Sequence, residues 1–485
     1  MKLLFEKSIK GTSGHYVAPS DVPEYRLDTS LLRGKEPVLP ELSENDLSRH
    51  YTQLEKRSFG VNDGFYPLGS CTMKYNPKIN EVTSHLEGFT DVHPLQPDDT
   101  VKGCEEVIDL TKQALCEITG MDDMTLTPAA GAHGEFTGMM LIRKYHEKRG
   151  DSARTKVIVP DSSHGTNPAT GTMNGFTGVS IPSTPDGYVD LDALRAAVGP
   201  DTAGLMLTNP NTLGLFDRNI KEITEIIHGA GGLCYYDGAN LNPVMGISRP
   251  GDMGFDCVHL NLHKSFSTPH GGGGPGAGAV GCKGFLKEYL PEDFSEAEEG
   301  AKAKMEAHPD SVGKVRSFHG NFLVVVRALT YILSLGNEGI PAAAVQSVMN
   351  ANYFKVLLSK KYHCAEPGLC MHEFVISMEE EHKEKGVSAL DIAKGLLDEG
   401  VHPPTIYFPL IVHEALMPEP TDTESAATIE DAAEKFLRVY DKAMADPEAA
   451  HSWPLTTVIG RPDEVAAARR PHLRWEPDGE EEFGE

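Results

Sequence analysis

The chain has 485 residues, 40% hydrophobic and 24% charged, the profile of an ordinary globular protein too long for a single hydrophobic core. Its formal net charge of −27 repels phosphate backbones and anionic bilayers, which sets aside nucleic acid and membrane surfaces as partners. No stretch of about 18 consecutive apolar residues occurs, and Lys2, Glu6 and Lys7 interrupt the N-terminus before a signal-peptide core could form, so a cytoplasmic location is expected.

In chain order, residues 1 to about 90 are rich in proline and polar turns, lack sustained periodicity and read as an extended arm. From 91 to 336, helical and strand patterns alternate as a parallel α/β sheet requires, which predicts a large domain. Thr127-Pro128-Ala129-Ala130-Gly131-Ala132-His133-Gly134-Glu135 leads into a helical run over 136–145, so small residues mark a helix N-terminus with exposed amides. The strand Val157-Ile158-Val159 is followed by Asp161-Ser162-Ser163-His164, and Leu205-Met206-Leu207 by Thr208. Gly232-Leu233-Cys234-Tyr235-Tyr236-Asp237-Gly238-Ala239-Asn240 reads as a short buried strand with Asp237 near its C-terminal end. Alternation over 255–262 then places His263 and Lys264 at a strand end, ahead of the glycines at 271–274, and 277–282 reads as a further strand. The apolar run 321–335, ending at Gly336, predicts a long helix closing the large domain. A smaller α+β domain is expected over 337–448, with a strand at 371–377 and helices at 389–398 and 429–445. An extension over 449–485 follows, and its acidic end, 477–485, reads as disordered.

Open α/β sheets bind ligands at the carboxyl ends of their strands. A lysine for a Schiff base and a carboxylate for a pyridinium nitrogen are the two protein groups that pyridoxal 5'-phosphate (PLP) needs, and Lys264 and Asp237 offer them. Ala130, Gly131 and Ala132 suit a phosphate at a helix start. His164 can stack on a pyridine ring, and Thr208 can hydrogen-bond a phenolate or phosphate oxygen. Ala239 and His263, beside Asp237 and Lys264, complete the candidate cofactor-binding set. Taken singly, each feature has a plainer reading: a surface lysine, an N-cap aspartate, a structural histidine, a tight loop. Together they favour PLP.

Two patterns fail on context. Gly276-x-Gly278-x-x-Gly281 fits a dinucleotide fingerprint but follows another glycine run and itself reads as a strand. His259-x-x-x-His263 has the spacing of a helical zinc pair but lies in a predicted strand with no glutamate beside the first histidine, so no metal is expected. The eight cysteines are scattered, with no zinc or disulfide spacing. Cys71 alone lies between hydroxyl residues in a longer string, and a packed thiol is its expected role.

Longer strings carry a resemblance: Tyr66-Pro67-Leu68-Gly69-Ser70-Cys71-Thr72-Met73-Lys74-Tyr75-Asn76-Pro77, the Pro128 to Glu135 turn, Ser163-His164-Gly165-Thr166-Asn167-Pro168, Asp237-Gly238-Ala239-Asn240, the Lys264 segment, Met371-His372-Glu373-Phe374-Val375 and His402-Pro403-Pro404-Thr405-Ile406-Tyr407-Phe408-Pro409-Leu410. By them the chain resembles, over nearly its whole length, the decarboxylating glycine dehydrogenase, the P-protein of the glycine cleavage system, and within it the lysine-carrying half, subunit 2. The resemblance implies a PLP-dependent transferase fold of type I, a mainly parallel sheet in the large domain and a smaller α+β C-terminal domain. It implies decarboxylation of glycine with transfer of the aminomethyl group to the lipoyl disulfide of H-protein, with Lys264, Asp237 and His164 as catalytic residues. A separate subunit 1 partner and a heterotetramer of two subunit types follow from the same resemblance. The string 66–77 and the glycines 271–274 are candidate walls of a channel for the lipoyl arm. Another fold-type-I enzyme, such as an amino-acid decarboxylase or aldolase, and a non-catalytic partner subunit are the alternatives.

Overall fold

The computed structural model describes residues 2–12, 21–35, 37, 39–269, 276–292, 303, 306–471 and 473. The glycines at 271–274 and the acidic end at 477–485 lie outside the described residues. The chain divides into two units, Met1–Asp63 and Gly64–Glu485. In the first, the helix Glu44–Glu55 starts at Ser43, whose hydroxyl accepts the Asp46 amide at 3.1 Å, and Ile9 bonds to the Glu41 carbonyl at 3.0 Å. Residues 64–90, read from the sequence as part of an arm, belong to the second unit, where Lys74, Asn80 and Ser84 are buried.

The second unit is built on a seven-stranded sheet: β1 (Asp123–Thr125), β2 (Lys156–Pro160), β3 (Thr177–Ile181), β4 (Thr202–Leu207), β5 (Leu233–Gly238), β6 (Cys257–Asn261) and β7 (Gly278–Cys282). Their spatial order is β1-β7-β6-β5-β4-β2-β3, parallel from β3 through to β6, with β7 antiparallel to both its neighbours. Every residue of β4, β5, β6 and β7 is buried, as expected for strands covered on both faces, which read as near-continuous apolar runs. On one face Met139, Leu141 and Ile142 of the helix Gly131–Lys148 pack with Val157, Tyr235, Cys257 and Val280. On the other, Leu115 and Val325 pack with Ile158, Leu205, Tyr236 and Val258. Burying each such aliphatic side chain contributes roughly 1.5–3 kcal/mol.

The helix Phe322–Leu358 joins the two domains. Gly336, at φ 62° and ψ −167°, breaks it where the sequence predicts an end, and helix resumes beyond. Its first segment buries Val324, Val325 and Tyr331 in the large core, and its second buries Ala351, Phe354 and Leu358 in the small one. By length and composition it could cross a membrane, yet these apolar residues fill two cores.

The small domain carries an antiparallel sheet of β8 (His363–Cys364), β9 (Ile376–Ser377), β10 (Thr405–Ile406) and β11 (Ala415–Met417), in the order β10-β11-β9-β8. Helices Ala389–Asp398 and Ala426–Ala445 cover it. The strand expected at 371–377 shrinks to β9 because the backbone before it bonds elsewhere: the Met371 amide donates to the Gly214 carbonyl at 2.7 Å. The extension after 448 also starts inside this domain, with Trp453 packed in its core and Arg461 donating to Asp391 at 2.6 Å.

Candidate active site

A cavity of about 180 Å³ opens at the carboxyl ends of β4, β5 and β6. Lys264, Asp237, His164, Thr208, Ala239, Gly131 and Ala132 all line it, so seven sequence candidates from five separate segments converge. Lys264 follows β6 in a turn closed by its amide on the Asn261 carbonyl at 2.9 Å, and its Nζ donates to the Ser70 carbonyl at 2.6 Å. The next residue fixes the turn: the Ser265 hydroxyl accepts the Leu241 amide at 2.8 Å, and its carbonyl accepts buried Lys74 at 3.2 Å.

Asp237 is buried at the end of β5. Its Oδ1 accepts the Ala239 amide at 3.0 Å and lies 3.5 Å from His259 Nε2. Tyr235 hydroxyl bonds to Nδ1 of His259, which leaves the Nε2 position to face Asp237. The Asn167 amide, turned as its partners require, donates to Asp237 Oδ2 at 3.1 Å and to Glu135 Oε2 at 2.9 Å. Glu135 also accepts the hydroxyls of Thr166 at 2.7 Å and Thr170 at 3.2 Å. Burial first, and the facing Asp237 second, push the Glu135 carboxyl up to about 8.

At the other side of the ring-sized space, the helix Gly131–Lys148 begins with small residues, and its first amides have no partner within the helix. A Cβ on Gly131 would stand 2.7 Å from Asn261 Oδ1, so a side chain there would fill the approach to those amides. Thr208 Oγ1 and Asn261 Oδ1 are buried without a partner among the described residues, as a ligand-facing hydroxyl and amide would be. His164 stands exposed at the mouth, its Nδ1 2.9 Å from Thr166 Oγ1 and its ring 5.5 Å from that of Phe408. Two candidates are not in the lining. Ala130 is the helix N-cap just outside it, and His263 turns away, its Nδ1 accepting the Ala277 amide at 3.4 Å.

The lining also contains residues the sequence reading did not single out: Ser70, Glu135, Asn240, His259, His372 and Glu373. Glu373 Oε2 accepts the Ser70 amide at 2.7 Å. Behind it, Glu419 accepts the Thr72 amide at 3.2 Å, the Thr72 hydroxyl at 2.9 Å, and the amides of Asn240 and Asn242 at 3.1 Å each. Ser70 and Thr72 have φ of 62° and 47°, left-handed values that cost a β-branched residue especially, and these bonds hold them there. Burial and the neighbouring Glu419 push Glu373 well above the usual carboxylate range. His372 is 2% exposed, neither ring nitrogen has a partner among the described residues, and burial lowers it to about 3, so it is neutral. Burial likewise pushes the Cys71 thiol up, as a packed thiol requires.

Glu373 reaches the cavity because Gly214 lets its backbone in. Gly214 has φ of +77°, and a Cβ there would lie 2.0 Å from the Glu373 carbonyl. His372, Glu373 and Glu419 place ligand atoms within 4.8 Å of one another, as do His228, Cys234 and Asp256. In both groups the carboxylates are already engaged, by the donors above and by His228 and the Cys234 amide. A larger groove of about 1130 Å³, lined by Phe89, Ile108, Phe318 and Phe322, contains neither Lys264 nor Asp237 and is not where the reactive groups meet.

Comparison with known proteins agrees with this geometry. A solved glycine decarboxylase (P-protein) of the glycine cleavage system, in inhibitor-bound form, superposes with a TM-score of 0.70 at 19% identity, over 85% of this chain and 93% of that one. A NifS-like protein matches with a TM-score of 0.60 at 14% identity, over 78% of this chain and all of that one. These likenesses show the fold, the type I fold expected from sequence. A family model described as the C-terminal domain of glycine dehydrogenase matches residues 343–452. A probable glycine dehydrogenase (decarboxylating) subunit 2 of Treponema denticola is 58% identical over 98% of both chains, and one of Caldanaerobacter subterraneus is 54% identical over 98% of both. With such identity over nearly its full length, the chain belongs to the family of glycine dehydrogenase (decarboxylating) subunit 2.

Proposed function

We propose that this chain decarboxylates glycine with PLP as cofactor, acting in the cytoplasm beside a separate subunit 1 in a heterotetramer, and passes the aminomethyl group to a lipoylated H-protein. The observation that carries the reading is the convergence of Lys264 Nζ, Asp237 and the start of the helix Gly131–Lys148 on one cavity. The residues present fit PLP: an amine, a buried carboxylate opposite a set of free helix amides, and the unpartnered Thr208 hydroxyl between strand ends. When bound, PLP supplies an aldehyde that condenses with amines and a ring that accepts the electron pair left when a carboxylate departs.

The chain's own groups have distinct tasks. Asp237, with one oxygen fixed by the Ala239 amide and the other by Asn167, is aimed to hold a proton on the ring nitrogen. Glu135 keeps its own proton below about pH 8, so it adds no second charge beside Asp237. The helix amides and Thr208 would hold the phosphate. Lys264 would offer the amine, and its Nζ on the Ser70 side of the cavity could carry protons. His164, at the mouth, would cover the ring. The string 66–77 reaches the cavity through Ser70 and is assigned to the wall past which a lipoyl arm would enter.

The absorption spectrum of the purified chain with PLP, alone and with subunit 1, tests this. A band for the lysine-bound cofactor, absent in Lys264→Ala and shifted by glycine, is expected. Its absence in both preparations would leave Lys264 without a catalytic role and overturn the reading.

A further inference from the structure

Ser70, His372 and Glu373 line an end of the cavity that Lys264 alone of the cofactor-directed groups touches, through the Ser70 carbonyl. We propose that His372 and Glu373 are the subsite for the carboxylate of glycine, held there by two uncharged hydrogen-bond donors instead of a cation. This rests on the glycine-decarboxylating reading and names its substrate contact.

His372 supplies the first argument. Its imidazole lines the cavity at 2% exposure with both nitrogens unpartnered among the described residues, a state that buried polar groups rarely keep unless a ligand completes them. A neutral imidazole has one N–H to give. The second donor is Glu373. Glu419, fully buried and in reach of four donors on Thr72, Asn240 and Asn242, competes with it for negative charge, and Glu373 has one such donor, the Ser70 amide on Oε2. The proton of the pair therefore sits on Glu373, and Oε1 is the oxygen left to carry it, 3.7 Å from His372 Nε2.

Reach agrees. The Ser70 peptide joins the two ends, its carbonyl taking Lys264 Nζ at 2.6 Å and its amide meeting Glu373 at 2.7 Å. A substrate whose amine takes the place of the lysine's has its carboxylate one carbon away, against this wall. Lys264 is the only lysine or arginine among the described lining residues, so no guanidinium fork is present to clamp the anion. In decarboxylation the bond between Cα and the carboxylate carbon breaks, its electron pair stays with Cα, and CO2 leaves uncharged. No proton moves at His372 or Glu373. Neutral donors hold the carboxylate for orientation and release little binding energy as its charge vanishes, whereas an ion pair would stabilise the ground state more than the transition state.

The test uses the PLP-loaded chain, with subunit 1 where loading requires it, and reads the shift of the cofactor absorption band, not turnover. Glycine is compared with methylamine, which has the amine and no carboxylate. In His372→Phe, glycine should bind at least about tenfold more weakly while methylamine is unchanged, and His372→Gln, which keeps one donor, should recover part of the loss. Glu373→Leu, which removes the donor, should weaken glycine by about tenfold with methylamine unchanged, and Glu373→Gln, which keeps both an acceptor for the Ser70 amide and a donor for substrate, should recover that affinity to within about threefold of the parent. Equal weakening of glycine and methylamine in His372→Phe would overturn the assignment, as would a tenfold loss in Glu373→Gln or stoichiometric uptake of a divalent ion that either variant abolishes. No band in the parent chain would sink the cofactor reading itself. A normal band with glycine affinity indifferent to His372→Phe would sink this inference alone.

Discussion

Two pairs of buried carboxylates flank Lys264, and they manage the same conflict differently. Asp237 and Glu135 meet across one side-chain amide, that of Asn167, on rigid elements: the end of β5 and the second turn of the helix Gly131–Lys148. Glu373 and Glu419 meet across a strained loop, Ser70 to Thr72, and stand on irregular segments of the small domain. Two carboxylates this close in a low-dielectric site cannot both ionise cheaply, so each pair has a member that keeps its proton. Glu135 is that member in the first pair, and Glu373 in the second. On the proposed function the first pair would leave a carboxylate for a cofactor nitrogen, and the second a neutral donor for substrate.

Carboxyl-to-amide substitutions separate the two ends most sharply. Asp237→Asn should lower glycine decarboxylation by orders of magnitude, since no anion would then hold the ring nitrogen's proton. Glu373→Gln, removing a carboxyl only ångströms from Lys264, should leave the rate within about threefold. Steady-state kinetics with saturating H-protein decides it, and comparable losses would erase the distinction between the ends.

Stability gives the next contrast. Glu419→Leu strands the Thr72 backbone amide and the Asn240 side-chain amide, while the Thr72 hydroxyl keeps Asn240 Oδ1 and the Asn242 amide keeps Thr72 Oγ1, and should cost on the order of 3 kcal/mol, read as a lowered urea midpoint. Gly214→Ala meets both the +77° backbone and the Glu373 carbonyl and should cost roughly 1–3 kcal/mol. Asn167→Ala, at the other end, removes one bridging amide and should cost only about 1 kcal/mol.

The same contrast explains what could be read from sequence. Lys264, Asp237, Thr208 and the Gly131 helix start follow regular strands or open a helix, so periodicity locates them and the strand-end rule brings them together. Glu135 gives no such signal, because glutamate is a good helix former and is common anywhere along a helix. His372 and Glu373 lie in a segment, 371–377, whose pattern predicts a strand, and their inward aim depends on a Met371-to-Gly214 bond between domains that no local pattern encodes. His263 is expected in the site only from its place beside Lys264, and in the structure it lies outside the cavity lining, its Nδ1 accepting the Ala277 amide.

Acid–base behaviour of the PLP-free chain offers the finest discrimination, because Glu135 and His372 should shape opposite limbs of its stability curve, Glu373 adding to the limb that Glu135 shapes. Glu135 sits at about 8 in the folded chain against an ordinary 4.5, so between those values the folded state holds a proton that the unfolded state has lost. Stability therefore falls as pH rises through that window, with a limiting slope of about 1.4 kcal/mol per pH unit from this group. His372, lowered to about 3 against an ordinary 6.5, acts in reverse: the unfolded state takes up the proton first, so stability falls as pH drops from 6.5 towards 3. Urea midpoints measured from pH 4 to 9 should show Glu135→Gln flattening the alkaline limb and His372→Phe flattening the acid limb, each leaving the other intact. If Glu135→Gln left the alkaline limb unchanged, Glu135 would be ionised beside Asp237, and the division of charge within the first pair would be wrong.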